Sequence, residues 1–222
     1  MTTMKPDFET AAMKAMETLV NHRVSFAPVD PLPILKTTPG VLVLSFAEFA
    51  ESLGVNRADV VTLFGSANQD AVTTVRKMNG KLRYIVTYNQ RLPFYMLQRA
   101  LARELGHIIL EHDGSRPEDV RIAEAVCFAQ HFLCPRPVIR AIQEAGIPVT
   151  VEVVGNISGC YERCLAGMRK TPATHVPPAL NRAVRSQFAD YIENYVAFQS
   201  ILKSEDESML ANFGTFMDGY QE

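Results

Sequence analysis

Ala100-Leu101-Ala102-Arg103-Glu104-Leu105-Gly106-His107-Ile108-Ile109-Leu110-Glu111-His112 decides how this chain is read. It lies one residue from the pattern H-E-x-x-H. In that pattern two histidines four apart face the same way on a helix and hold Zn²⁺, and the glutamate activates the metal-bound water. Glu104 and His107 stand where the pattern wants them, and Arg103 stands in place of the first histidine. Leu97, Leu101, Leu105 and Ile108 form an apolar stripe. Pro93 can open the helix, and the stripe predicts its end near Asp113-Gly114. Glycine in a helix interior costs roughly 1 kcal/mol relative to alanine, so Gly106 is expected where another backbone comes close.

Working outward, Ser115-Arg116-Pro117-Glu118 reads as a capping box opening a second helix with Val120, Ala123, Val126, Cys127 and Leu133 inside. Pro135 and Pro137 end it. Upstream, Val72-Thr73-Thr74-Val75 and Leu82 to Tyr88 flank Asn79-Gly80, the dipeptide favoured in type I′ hairpin turns. The alternation Leu82/Tyr84/Val86/Tyr88 against Arg83/Ile85/Thr87 predicts one more deeply buried face. Val41 to Leu44 is a strand candidate, and Ser45 to Leu53 and Asn56 to Phe64 are short helices, Gly54 stopping the first. Phe8 to Val20 has helical periodicity, and Pro28, Pro31 and Pro33 mark a loop. Val138 to Ala145, Ile157 to Met168 and Leu180 to Leu202 are predicted helical.

Composition bounds the rest. The chain has 222 residues, 47% hydrophobic and 21% charged, enough for a substantial core. A net charge of -2 argues against a large phosphate-binding face, so no direct nucleic-acid partner is expected. Phe46 to Leu63 superficially resembles a DNA-binding helix-turn-helix, but its second helix carries Arg57 and no further basic residue. Without a membrane-length apolar run or a signal-peptide core, a cytoplasmic location is expected. Cys127/Cys134 and Cys160/Cys164 lie at helical spacings without a C-x-x-C pair, the pattern of buried thiols.

Tyr88-Asn89, the Leu101 to His112 stretch and Glu124-Ala125-Val126-Cys127-Phe128-Ala129-Gln130-His131-Phe132-Leu133-Cys134-Pro135 together resemble the ImmA/IrrE family of metallo-endopeptidases. That family has a Y-N pair, then an A-H-E-L-G-H helix, then an E-A-N-x-F-A-x-x-L-L-M-P helix. The likeness spans about Leu19 to Pro135 and continues weakly through Ile157 to Met168. It implies an α+β, zincin-like fold with a small antiparallel sheet packed on the motif helix and a mostly helical C-terminal third. The corresponding division is a peptidase domain over 1–135 and a helical region over 136–222. The implied partner is a helix-turn-helix transcriptional repressor, or another peptide substrate, and the implied cofactor is zinc, if the site holds a metal at all. Carried onto this chain, Glu104 matches the general base, and His107 and Glu124 match two of three ligands. Val126 departs from the family's asparagine.

Arg103 cannot serve as the missing ligand, because a guanidinium has no lone pair to give. Beside a dication it is repelled, by about 4 kcal/mol per unit charge at ~4 Å and an effective dielectric near 20. It is expected instead to fill the metal cavity, bridging Glu104 and Glu124. No substitute ligand is expected. His131 lies about 10 Å along its helix from Glu124, and His112, five after His107, points about 140° away if the helix continues. His22 and His175 lie outside the motifs and are expected at the surface. Three functions stay open: a zinc endopeptidase, a binding protein that captures a repressor or peptide in the same cleft, and, more distantly, DNA binding through Phe46 to Leu63.

Overall fold

The computed structural model describes residues 4–56, 58–60, 70–159 and 174–218, the last fifteen of these by backbone alone. Asp7 caps helix α1 (Phe8–Asn21), its carboxylate accepting from the Thr10 N–H. The predicted loop around Pro28, Pro31 and Pro33 instead contains helix α2 (Pro31–Thr37). Asp30 caps it and Pro31 takes the first helical position, where a missing N–H costs nothing. Strand β1 (Val41–Ser45) leads into α3 (Phe46–Leu53), which Ser45 and Glu48 cap reciprocally and Gly54 ends in the left-handed conformation. The proposed second helix, Asn56 to Phe64, falls largely outside the described residues.

Strands β2 (Ala71–Met78) and β3 (Lys81–Tyr88) form the predicted hairpin, with positive φ at both Asn79 and Gly80. Tyr84 and Val86 are buried while Arg83 is exposed, as the alternation predicts, but Thr87 on the other face is buried as well. The sheet order is β1-β3-β2. It is mixed rather than wholly antiparallel: β1 pairs parallel with β3, Val41 opposite Tyr84 through Ser45 opposite Tyr88. A parallel pair needs a long crossover, and the chain from α3 through β2 supplies it.

The sheet packs on α4 (Phe94–Ile109), which packs on α5 (Glu118–Leu133), and α5 rests in turn on α1. A Cβ on Gly106 would meet Ala125 Cα and O at 3.2 Å and Phe128 Cδ1 at 3.1 Å, so the glycine admits the α5 backbone as expected. Leu101, Leu105, Phe128 and Phe132 fill this contact, and each fully buried side chain of that size contributes roughly 1.5–3 kcal/mol. The same core continues through Val138 and Ile142 on α6 (Arg136–Glu144), Val154 and Ile157 on α7 (Val151–Ser158), and Val184 and Phe188 at α8 (Pro178–Gln187). Helix α9 (Ala189–Asp218) follows. The helix predicted over Ile157 to Met168 is met only by the end of α7, residues 160–173 lying outside the description. Cys127 and Cys134 are buried, as read, and burial pushes the Cys127 thiol up to about 12, while Cys160 and Cys164 lie outside the described residues. Among the described residues no helix is long and apolar enough to cross a membrane.

Candidate active site

Helix α4 ends earlier than its apolar stripe suggests. Glu111 adopts φ 52, the Glu111 N–H donates to the Ile108 carbonyl and the His112 N–H to the His107 carbonyl, each at 3.0 Å. These two bonds with a left-handed residue between them are a Schellman reversal, built here without glycine. Such a turn folds its outermost residue back over the helix's last turn. His112 is therefore brought onto His107, their Nδ1 atoms 2.8 Å apart, rather than pointing away. The expected 140° offset assumed helix through residue 112, and the helix stops at Ile109.

The other ring nitrogen of His112, Nε2, lies 2.9 Å from Glu124 Oε2 on α5. Glu124 is buried and crowded with donors. Arg116 Nη1 reaches its two oxygens at 2.9 and 3.1 Å, and the Asp7 N–H donates to Oε1 at 2.8 Å. The predicted capping box is absent: Pro117 is the N-cap without a side-chain bond, and the Ser115 N–H turns instead to Asp113 Oδ1. That leaves Arg116 free to reach back to Glu124.

Arg103 does not bridge the two carboxylates. Its guanidinium lies 3.5 Å from Glu104 Oε1, with the side chain 36% exposed, while Arg116 is the guanidinium on Glu124. Glu104 itself is buried, and desolvation raises its pKa although Thr73 on β2 and Arg103 pull it down. His107 is pushed down to about 4 by burial, then by the charges of His112, Arg103 and Arg121. Burial also lowers His112, against the pull of Glu124. Both rings are therefore held neutral. Assigned from the hydrogen-bond network, His112 donates Nε2–H to Glu124 and accepts at Nδ1 from His107, leaving the His107 lone pair on Nε2.

The structure thus brings His107 and Glu124 together through a residue the sequence reading set aside, and places Arg103 and Glu104 together on the neighbouring face of α4. The donors do not fit a zinc ion as they stand. His112 turns its two nitrogens to different partners, so His107, His112 and Glu124 are strung in a line rather than around a point. Among the described residues no three His, Cys, Asp or Glu side chains form a metal-holding group. His131, the other dismissed candidate, is buried with Nε2 3.1 Å from Thr174 Oγ1, and His22 and His175 are exposed. The sequence signal for His112 and Arg116 was faint: only the polar run His112-Asp113-Gly114-Ser115 hints that the helix ends early.

Comparison with curated proteins gave no match, and neither did comparison with solved structures. Residues 55–155, which hold the hairpin, α4, the reversal and α5, match the family model for M78 peptidases, described as the IrrE N-terminal-like domain. With the two facing helices and their small mixed sheet, that match makes this part of the chain an ImmA/IrrE-family metallopeptidase-like domain.

Proposed function

We propose that the chain acts on a helix-turn-helix transcriptional repressor, or on another peptide, through the cleft between α4 and β2, and that zinc-dependent cleavage in it is weakened or lost. Capture of the peptide is then the activity that remains. One observation carries this reading. Glu124, which matches a metal ligand of the family, has its lone pairs taken by Arg116, His112 and the Asp7 N–H, and Arg103 stands where a ligand would be. A carboxylate so fully hydrogen-bonded must lose partners before it can bind an ion. β2 lies at an edge of the sheet and its Thr73 lies against Glu104, so an extended peptide added to that edge would run past the family's catalytic position.

The test is metal analysis of the dialysed protein beside a repressor-cleavage assay, in the native chain and in Arg103→His. Substoichiometric zinc and no cleavage are expected in the native chain. Stoichiometric zinc that survives dialysis and disappears in His112→Ala would overturn the proposal, because His112 would then be the replacement ligand.

A further inference from the structure

Towards the other end of α5 from Glu124 a cavity of about 420 Å³ lies between the start of α6, the 174–176 segment and α8. His131 lies seven residues beyond Glu124, about 10 Å along the helix, so the cavity is separate from the peptidase-like site. Among the described residues its wall carries Arg136 and Arg140 from α6 and Arg182 and Arg185 from α8, against the single carboxylate of Glu144. Glu144 is already engaged by Arg185. Among the described residues Arg136, Arg140 and Arg182 have no acidic partner, in a chain whose net charge is -2.

The floor has a second deficit. His131 is 3% exposed, and among the described residues its Nδ1 has no hydrogen-bond partner while Nε2 meets Thr174. Buried polar atoms are nearly always paired, so an orphan of this kind calls for an explanation. Burial and the charge of Arg136 hold the ring down to about 4, so at neutral pH it carries one proton. When the Thr174 hydroxyl donates to Nε2, that proton sits on Nδ1 as an unused donor. The first turn of α6, which lacks a side-chain cap, adds the positive end of a helix dipole beside Arg136.

We propose that this cavity binds a small phosphorylated molecule, its diphosphate group held by Arg136, Arg140 and Arg182. One multiply charged anion relieves the repulsion among the guanidiniums and offers acceptors to the N–H groups left over. Guanidinium forks match phosphate oxygens two at a time, which favours phosphate over a single carboxylate. The volume lies within the range of small-molecule sites.

The probe is sodium pyrophosphate, titrated calorimetrically into the full chain and compared with sodium chloride at equal ionic strength. Saturable one-to-one binding and a raised melting temperature are expected. Arg140→Ala combined with Arg182→Ala should weaken binding about 100-fold, at a factor of 10 or so per lost charge-assisted contact. Both side chains are exposed, so the variant should melt with the native chain in chloride. Lys81→Ala on the distant hairpin should bind as the native chain does. Absence of saturable binding, equal affinity in the double variant, or equal loss in Lys81→Ala would each overturn the proposal.

Discussion

His112 Nε2 lies 2.9 Å from Glu124 Oε2, and through that contact an imidazole joins two helices that a metal ion would join in the family pattern. Removing the ring tests whether it competes with the ion. Arg103→His alone should gain little zinc, and Arg103→His with His112→Ala should bind it much more tightly, read by competition with a chromogenic chelator. Equal affinity in the two variants would show that the bridge does not compete. His112→Ala by itself should cost about 1–3 kcal/mol in chemical denaturation, the usual penalty when a buried hydrogen-bonding group loses its partner.

The two arginines of the site should differ in weight. Arg116 contacts a carboxylate that is 2% exposed, but is itself 46% exposed. Removing a partner from a fully buried pair costs about 3–5 kcal/mol and from a surface pair under about 1, which puts Arg116→Ala at roughly 2 kcal/mol. Arg103→Leu should cost less, since its carboxylate partner is 3.5 Å away and can take up a proton instead. Denaturant midpoints in the reverse order would refute the assignment of Arg116 to Glu124.

Gly106→Ala gains helix propensity worth about 1 kcal/mol and still should destabilise. The new methyl would meet the Ala125 backbone at 3.2 Å, which cannot yield as a side-chain tip can. Overpacking of this kind costs about 1–3 kcal/mol, so the melting temperature should fall. A rise would mean that α4 and α5 are not in backbone contact there.

Stability should also fall with acid through His131. Its value in the folded chain is about 4 against 6.5 for the free side chain, so the unfolded chain takes the proton first. The contribution is whole above 6.5 and is lost as pH drops from 6.5 towards 4, by up to roughly 3 kcal/mol. His131→Gln should flatten the pH dependence of unfolding across that interval. An unchanged slope would show that the ring titrates normally.

The parts legible in the sequence are those fixed by neighbours a few residues apart. Asn79-Gly80 specified its turn locally, Leu97 to Ile108 specified a helix face, and Gly106 in mid-helix signalled the α5 backbone. Two helix-borne motifs in order were enough to name the family that the residues 55–155 comparison bears out. What stayed hidden depended on where a regular element stopped. Carrying helical rotation three residues past Ile109 sent His112 in the wrong direction, because a left-handed Glu111 gives no sign of itself in a stretch where glycine is expected. The Ser115 to Glu118 pattern fitted a capping box, yet the Asp113 carboxylate captured the Ser115 amide first. Parallel pairing of β1 with β3 was equally invisible, since it depends on a crossover rather than on any local residue.

The backbone contact at Gly106 has a mechanical corollary. Two helices locked that closely form a stiff jaw, with no slack to open around an incoming chain. The side with room to yield is then β2, the hairpin strand at the sheet's margin, whose Thr73 lies against Glu104. For the peptide capture proposed above, the accommodation would fall to that strand, and the α4–α5 pair would hold its geometry.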